Sequence, residues 1–284
     1  MRNIAVIDES FDSGITAGCD LLIRFDSHSF ASLVLDRSRN LFIAYKNRWF
    51  DEPVDYGDMS PQLRKLINSD LHLALPYKSV SFQYVSPVSV LIPSPLYRSD
   101  KQESYFRHTS PVPPGSRILS RRIPPADASV VFVMPEEADG VIRFTWPEVQ
   151  LFHPWCPQVT SALAATAGNP ELSLVSVNIG PDHADITVAK GGRLLLQNSY
   201  VIRGLNDLMF FILYQYEQFG LQHDETPLFL SGYTQSADGL HEAAAAYIRL
   251  VSTVGLPETF QYSPVFRDVP AGWLTDLINM ARCA

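Results

Sequence analysis

Glycine is scarce in this chain, with 15 among 284 residues, about 5% against an average near 7%. Sites that cradle nucleotide phosphates on backbone N–H groups use several glycines in the loops that do it, and few are present here. There is no Gly-x-Ser-x-Gly elbow, no Walker-type Gly-Lys-Ser/Thr and no dinucleotide glycine fingerprint, which excludes the commonest hydrolase, P-loop and Rossmann chemistries. Cysteine is limited to Cys19, Cys156 and Cys283. An odd count with no close pair excludes a disulfide scaffold and fits a reducing, cytoplasmic compartment. No apolar run approaches the roughly 18 residues of a membrane span, Leu208 to Leu213 being the nearest, so no membrane span is expected. Asp8, Glu9 and Asp12 stand where a secretory signal needs a basic start and an apolar run.

Basic residues are short in the second half. Residues 1–147 hold 16 basic and 17 acidic side chains, whereas residues 148–284 hold 6 and 13, so the net charge of −8 sits almost wholly in the C-terminal half. That balance argues against nucleic acid as a partner, because phosphate neutralisation needs clustered Lys and Arg. The exception is Arg98, Lys101, Arg107, Arg117, Arg121 and Arg122, six basic residues facing two acidic ones. They form a candidate patch for an anionic partner if the fold gathers them. Metal-binding patterns are incomplete. His153 and Cys156 lie three apart but no second pair follows, His241-Glu242 lacks the second histidine of a metalloprotease helix, and His223-Asp224-Glu225 reads as a solvated loop. No metal or cofactor is expected.

What is present is 46% hydrophobic residues, ample for a packed core and too many for a disordered chain. Period-2 alternation predicts short strands over 22–26, 30–36 and 41–45, then a helix opened by Ser60-Pro61, strands at 80–85 and 88–92, and a helix from Ser94-Pro95 through Tyr105. Residues 111–127 read as an exposed connection with an edge strand, followed by a buried strand at 130–134. In the second half, strands are predicted over 172–179, 184–189 and 193–202, with Gly191-Gly192 as the second turn. An apolar, aromatic helix follows from Gly204 to Phe219, read as buried and central, and Gly220 stops it. A strand at 227–230, a helix from Ser236 to Val251, a last strand at 259–262 and a helix from Pro270 to Arg282 complete the chain.

The halves also match each other. An ungapped shift of 153 lays Phe30–Leu35 over His183–Val188 and Leu41-Phe42-Ile43 over Leu194-Leu195-Leu196. A duplicated unit of three meandering strands followed by alternating helix and strand predicts an α/β fold of two lobes, 1–150 and 151–284, each on a five-stranded mixed sheet: the actin-like ATPase, or ribonuclease H-like, architecture.

Several stretches resemble the domain-of-unknown-function family 3822, found mainly in Bacteroidetes. They are Val90-Leu91-Ile92-Pro93 with Leu96-Tyr97, His153 leading into Thr160-Ser161-Ala162-Leu163, Leu194 to Asn198, Asn206-Asp207, Phe229-Leu230-Ser231-Gly232, and the closing helix ending at Cys283. The resemblance implies an actin-like ATPase fold related to the cytoplasmic assembly proteins of type IV pilus and type II secretion systems. It implies no established biochemical role, and fold alone does not supply one.

Actin-like ATPases hold the phosphates on two hairpins, each opening with an Asp followed by glycine and hydroxyl residues. The first hairpin here offers Asp26-Ser27-His28-Ser29, with the acid but no glycine. The second offers Asn178-Ile179-Gly180-Pro181, with a glycine but no acid, and Pro181 removes a donor. Leu230-Ser231-Gly232-Tyr233 has one glycine where an adenosine-binding segment would use several. Asp26, Ser29, Asn178, Gly180 and Gly232 are therefore the candidate positions of a degenerate nucleotide site, and each also has an ordinary turn or packing role. The reading that follows is a non-catalytic cytoplasmic binding or scaffold protein with a protein partner and no nucleotide. The alternative is a nucleotide- or small-molecule-binding protein with weak ATPase or kinase activity in the inter-lobe cleft.

Overall fold

The computed structural model describes residues 3–107, 109–234 and 239–283. Ile4–Ile7 (β1) is followed by an antiparallel meander of Cys19–Phe25 (β2), Ser29–Asp36 (β3) and Leu41–Trp49 (β4). Met59–Ser69 (α1) then carries the chain to Ser79–Tyr84 (β5), parallel to β2. Ser89–Pro93 (β6), Ser116–Ile123 (β7) and Ala128–Pro135 (β8) make a separate antiparallel sheet in the order β6-β8-β7. Glu136–Thr145 (α2) leads to Gln150–Phe152 (β9), parallel to β5, and Trp155–Thr166 (α3) crosses to the second half.

There the plan repeats. Ser173–Ile179 (β10), His183–Lys190 (β11) and Arg193–Val201 (β12) form an antiparallel meander, and Leu205–Gln218 (α4) precedes Leu228–Gly232 (β13). Leu240–Ala245 (α5) precedes Val251–Thr253 (β14), and the order is β12-β11-β10-β13-β14. The first sheet has the same core order, β4-β3-β2-β5-β9, with β1 and Gln261–Tyr262 (β15) both added to β4. Ala271–Ala281 (α6) ends the chain against β2, β5, β13 and α3.

All seven residues of β2 are buried. With α1 over one face of the first sheet and α6 over the other, Leu21-Leu22-Ile23 can be a continuous apolar run rather than an alternating one. Helices α3 and α6, buried along most of their lengths, lie between the two sheets and join their cores.

Four expectations need correction. The internal repeat is not an ungapped 153. Ser29–Asp36 corresponds to His183–Lys190, a shift of 154, and the bulge at Val34/Leu35 recurs at Val188/Ala189. The third strands then start at Leu41 and Arg193, because a four-residue turn in the first meander is replaced by Gly191-Gly192 in the second, both glycines at positive φ (+56° and +74°). Apolar matching alone was off by one, which in a strand swaps the two faces. Ser94-Pro95 opens only 3₁₀ turns, kinked at Lys101. The helix expected over Ser236–Val251 covers Leu240–Ala245, its expected start lies outside the described residues, and Val251 begins β14. The strand ending at Tyr262 joins the first sheet, not the second.

Candidate functional site

The two meanders face one another across α6, and their first hairpin turns meet at one end of the seam. The corrected register gives each inward-facing position a counterpart: Arg24 in β2 corresponds to Asn178 in β10, and Asp26 to Gly180. The second hairpin thus reads Asn178-Ile179-Gly180 and the first reads Arg24-Phe25-Asp26. Asp26, expected at the place of the acid, stands at the place of the glycine, and the acid's place holds a guanidinium. A charged residue inside the otherwise apolar Leu21–Phe25 was the signal for this, missed because the hairpins were set against each other at Asp26 and Asn178, two residues out of register.

Arg24 is 6% exposed. Its Nη1 pairs with Asp26 Oδ2 at 2.6 Å and donates to the Tyr233 hydroxyl at 3.0 Å, and its Nε lies 3.8 Å from Asp276 Oδ2. The guanidinium also sits 5.5 Å from the centre of the Tyr233 ring. Burial works against its charge, but Asp26, Tyr233 and Asp276 together hold it firmly protonated. Asp26 has little capacity left for anything else. Its Oδ1 accepts the backbone N–H groups of His28 and Ser29, both at 2.7 Å, and Oδ2 accepts the Ser29 hydroxyl at 3.0 Å. Asp26 is a turn-capping residue and the counterion of Arg24.

The other side of the seam is equally filled. Asn178 Nδ2 donates to Asp276 Oδ1 at 3.0 Å and to the Ser231 hydroxyl at 3.1 Å. Gln158 on α3 donates to Asp185 Oδ2 at 3.0 Å and to Asp276 Oδ1 at 3.5 Å, and Asp185 also accepts from the Trp155 indole at 3.2 Å. A continuous buried polar chain therefore runs from Ser29 through Asp26, Arg24 and Asp276 to Asn178, Gln158 and Asp185. Burial, and the nearby Asp185, push the Asp276 carboxyl up to about 6 despite Arg24 beside it. An acidic residue in the apolar turn Leu274-Thr275-Asp276-Leu277 was a second unread signal.

The candidate glycines are occupied by protein. A Cβ at Gly180 would lie 2.3 Å from the His183 ring, so an imidazole covers the space that would admit a phosphate. Burial disfavours charge on that ring, but its hydrogen bond to Asp182 at 2.9 Å and the nearby Asp185 outweigh this and raise its pKa. Gly232 has φ +79°, and a Cβ there would lie 2.3 Å from the Ile179 carbonyl oxygen, while a Cβ at Gly272 on α6 would lie 2.5 Å from the Gly232 carbonyl oxygen. Both serve the contact of β13 with β10 and α6.

Arg98, Lys101, Arg107, Arg117, Arg121 and Arg122 do not gather into one face. The first three lie on or beside the 3₁₀ segment Ser99–Phe106, which reaches β7 where Gln102 donates to the Ser120 hydroxyl at 3.0 Å, while along β7 Arg117 and Arg121 alternate to the face opposite Arg122. Arg117 and Arg143 hold the fully buried Asp139. Arg121 stacks 3.5 Å over the Phe152 ring and donates to the Leu151 carbonyl at 3.2 Å. Arg98 pairs with Asp100 and Arg122 with Asp127. Most of these charges serve local structure. The aromatic helix α4 also differs from expectation, for Leu208, Ile212 and Tyr216 are buried while Phe210 (63%) and Tyr214 (48%) are exposed. The His153 ring packs between Phe132 and Trp155, and the Cys156 thiol is buried.

A family model described as a protein of unknown function, DUF3822, matches residues 8–251. The chain belongs to this family. No curated protein matches it. Among solved structures it is similar to a Bacteroides thetaiotaomicron protein with an actin-like ATPase fold and unknown function, at 17% identity and TM-score 0.78 over 96% of this chain and 99% of that one. It is also similar to a chain of the PilM–PilN type IV pilus biogenesis complex, at 11% identity and TM-score 0.59 over 93% and 98%. The ethanolamine utilization protein EutJ from Carboxydothermus hydrogenoformans is similar at 12% identity and TM-score 0.51 over 97% and 92%. The DUF3822 chain has the actin-like ATPase fold. No helix among the described residues is long and apolar enough to cross a membrane.

Proposed function

We propose that this DUF3822 protein is a non-catalytic, cytoplasmic binding or scaffold protein whose inherited nucleotide cleft is closed by its own side chains. The observation that carries this reading is Arg24. It stands where the second hairpin has Asn178 and supplies, from within, the positive charge that the neighbouring carboxylates require. A bound triphosphate needs backbone donors, a cation or a metal-holding carboxylate. Here Gly180 lies under the His183 ring, Asp26 is taken by its turn and by Arg24, and Pro181 has no N–H. The degenerate positions Asp26, Ser29, Asn178, Gly180 and Gly232 then act in the fold as lobe-fastening and packing residues. The likeness to a chain of the PilM–PilN complex supports a protein as the partner.

The test is phosphate release from Mg-ATP by the purified full chain, expected not to exceed a boiled control. Turnover lost on Asp26→Ala would overturn the reading. One observation favours the alternative of small-molecule or nucleotide binding with weak ATPase or kinase activity: a cavity of about 470 Å³ lies beside both hairpin turns. Its lining bears on what it accepts.

A further inference from the structure

We propose that this cavity is a docking pocket for a lysine- or arginine-bearing peptide segment of a protein partner. The proposal rests on the scaffold reading above and names the chemistry of the partner. The cavity, about 470 Å³, is bounded by Asp26 and His28 of the first turn, Asp182 and His183 of the second, and Pro53–Tyr56 from the segment after β4. That segment is tied across the first turn, the Val54 N–H donating to the Ser27 carbonyl at 2.7 Å and the Phe50 N–H to the His28 carbonyl at 2.9 Å.

Asp26, Asp55 and Asp182 line the cavity together with the His28 and His183 rings. Asp55 is exposed, and its segment also carries exposed Asp51, Glu52 and Asp58 with no basic residue among residues 51–58. Across the opening, the Asp182 side chain is 58% exposed. Hydrogen bonding to His183 holds it ionised by keeping its pKa below the usual range. Among the described residues that line the cavity there is no Lys or Arg, and Arg24 is buried, paired with Asp26 and shared with Asp276. Such a rim repels phosphate and attracts ammonium or guanidinium groups.

A second observation comes from the floor. The His153 ring is 2% exposed and lines the cavity. Its Nδ1 accepts the Trp155 N–H at 3.2 Å, so the ring proton of the neutral imidazole is assigned to Nε2, and Nε2 has no partner. An unpartnered buried donor on a residue that lines the cavity calls for an acceptor oxygen. Acceptor at depth and cation at the mouth are met together by a peptide, whose backbone carbonyl reaches His153 while its basic side chain meets Asp55 and Asp182. A bare metal ion offers no acceptor, and a phosphate offers acceptors at the cost of the acidic rim. Pro53, Pro87, Tyr56 and Tyr200 supply stiff apolar walls that suit an extended chain.

The probe is fluorescein-labelled hexalysine, with labelled hexaglutamate as its counterpart, titrated with the full-length protein and followed by anisotropy at a physiological ionic strength of about 0.15 M. Hexalysine is expected to bind and hexaglutamate not. Asp55→Asn with Asp182→Asn should weaken hexalysine about tenfold. Glu225→Gln with Glu258→Gln, away from the cavity, should leave it unchanged. His153→Phe should also weaken it, with retained folding checked by thermal melting. Equal losses from both pairs of substitutions, or no binding of hexalysine, would overturn the proposal. Mg-ATP is run in parallel. Failure of hexalysine with no response to Mg-ATP refutes the pocket and leaves the scaffold reading standing, whereas a response to Mg-ATP refutes the scaffold reading itself.

Discussion

Removing the guanidinium of Arg24 should be among the most damaging single changes in this protein, and its cost should depend on pH. Arg24→Ala leaves Asp26 and Asp276, both under 10% exposed, without their shared cation. Breaking a buried pair from one side costs roughly 3–5 kcal/mol, because the remaining charge stays desolvated. Asp26 retains two backbone N–H groups and the Ser29 hydroxyl, so most of the penalty falls on Asp276. That carboxyl already titrates at about 6 in the intact protein, and losing the arginine pushes it higher. At pH 8 the variant must bury an unpaired carboxylate or protonate it against the solution. At pH 5 Asp276 is neutral and the penalty shrinks. Urea unfolding followed by far-ultraviolet circular dichroism should give a loss of about 3–5 kcal/mol at pH 8 and about half that or less at pH 5. Pairing Arg24→Met with Asp276→Asn, which removes the unpaired charge and keeps an acceptor oxygen for Asn178 and Gln158, should recover part of the loss. A single-variant cost below about 1 kcal/mol at pH 8, the range of an exposed ion pair, would refute the closed seam.

Two further outcomes follow from the same geometry. Asp276 has a folded pKa of about 6 against an ordinary value of 3.8, so the folded chain holds a proton that the unfolded chain has lost; its contribution favours the fold near pH 4 and is lost as pH rises through 6. Asp276→Asn should abolish that decline, worth up to about 3 kcal/mol, as read from unfolding free energies at pH 4 to 7, and an unchanged slope would show that the group is not buried as described. Gly180→Ala should destabilise by about 1–3 kcal/mol through its clash with the His183 ring, and pairing it with His183→Ala should remove most of that cost; additive costs would show that the ring does not occupy the glycine's space.

Much of the fold was legible because it is written in apolar periodicity. The duplicated meanders, the Gly191-Gly192 turn and the apolar α4 all follow from local patterns. What was not legible depended on register or on distant pairing. Setting the first hairpins against each other at Asp26 and Asn178, two residues out of register, hid the equivalence of Arg24 with Asn178, since apolar residues fill both faces of a doubly covered strand and give no mark of register. The helix was carried on to Val251, the first residue of β14, because the alanine run before it is a strong helix former, and β15 carries no mark of its pairing with β4 more than two hundred residues earlier. At the site, Asp26, Asn178, Gly180 and Gly232 could be picked out from composition and spacing. Arg24, Tyr233, Asp276 and Gln158 could not be joined to them, for they come from four separate elements that meet only when α3 and α6 pack between the sheets.

The most direct measurement is a thermal-shift titration of the full-length protein with millimolar Mg-ATP. A ligand present at a hundred times its Kd stabilises the native state by about 2.7 kcal/mol, and roughly 2–4 °C accompanies each kcal/mol in a domain of this order of size, so occupancy of the cleft would be plain. With Arg24 paired to Asp26 and Asp276, and His183 seated on Gly180, no shift is expected. A saturable upward shift, abolished by Gly180→Val or Asp26→Ala, would show that the cleft opens to nucleotide and would contradict the closed seam.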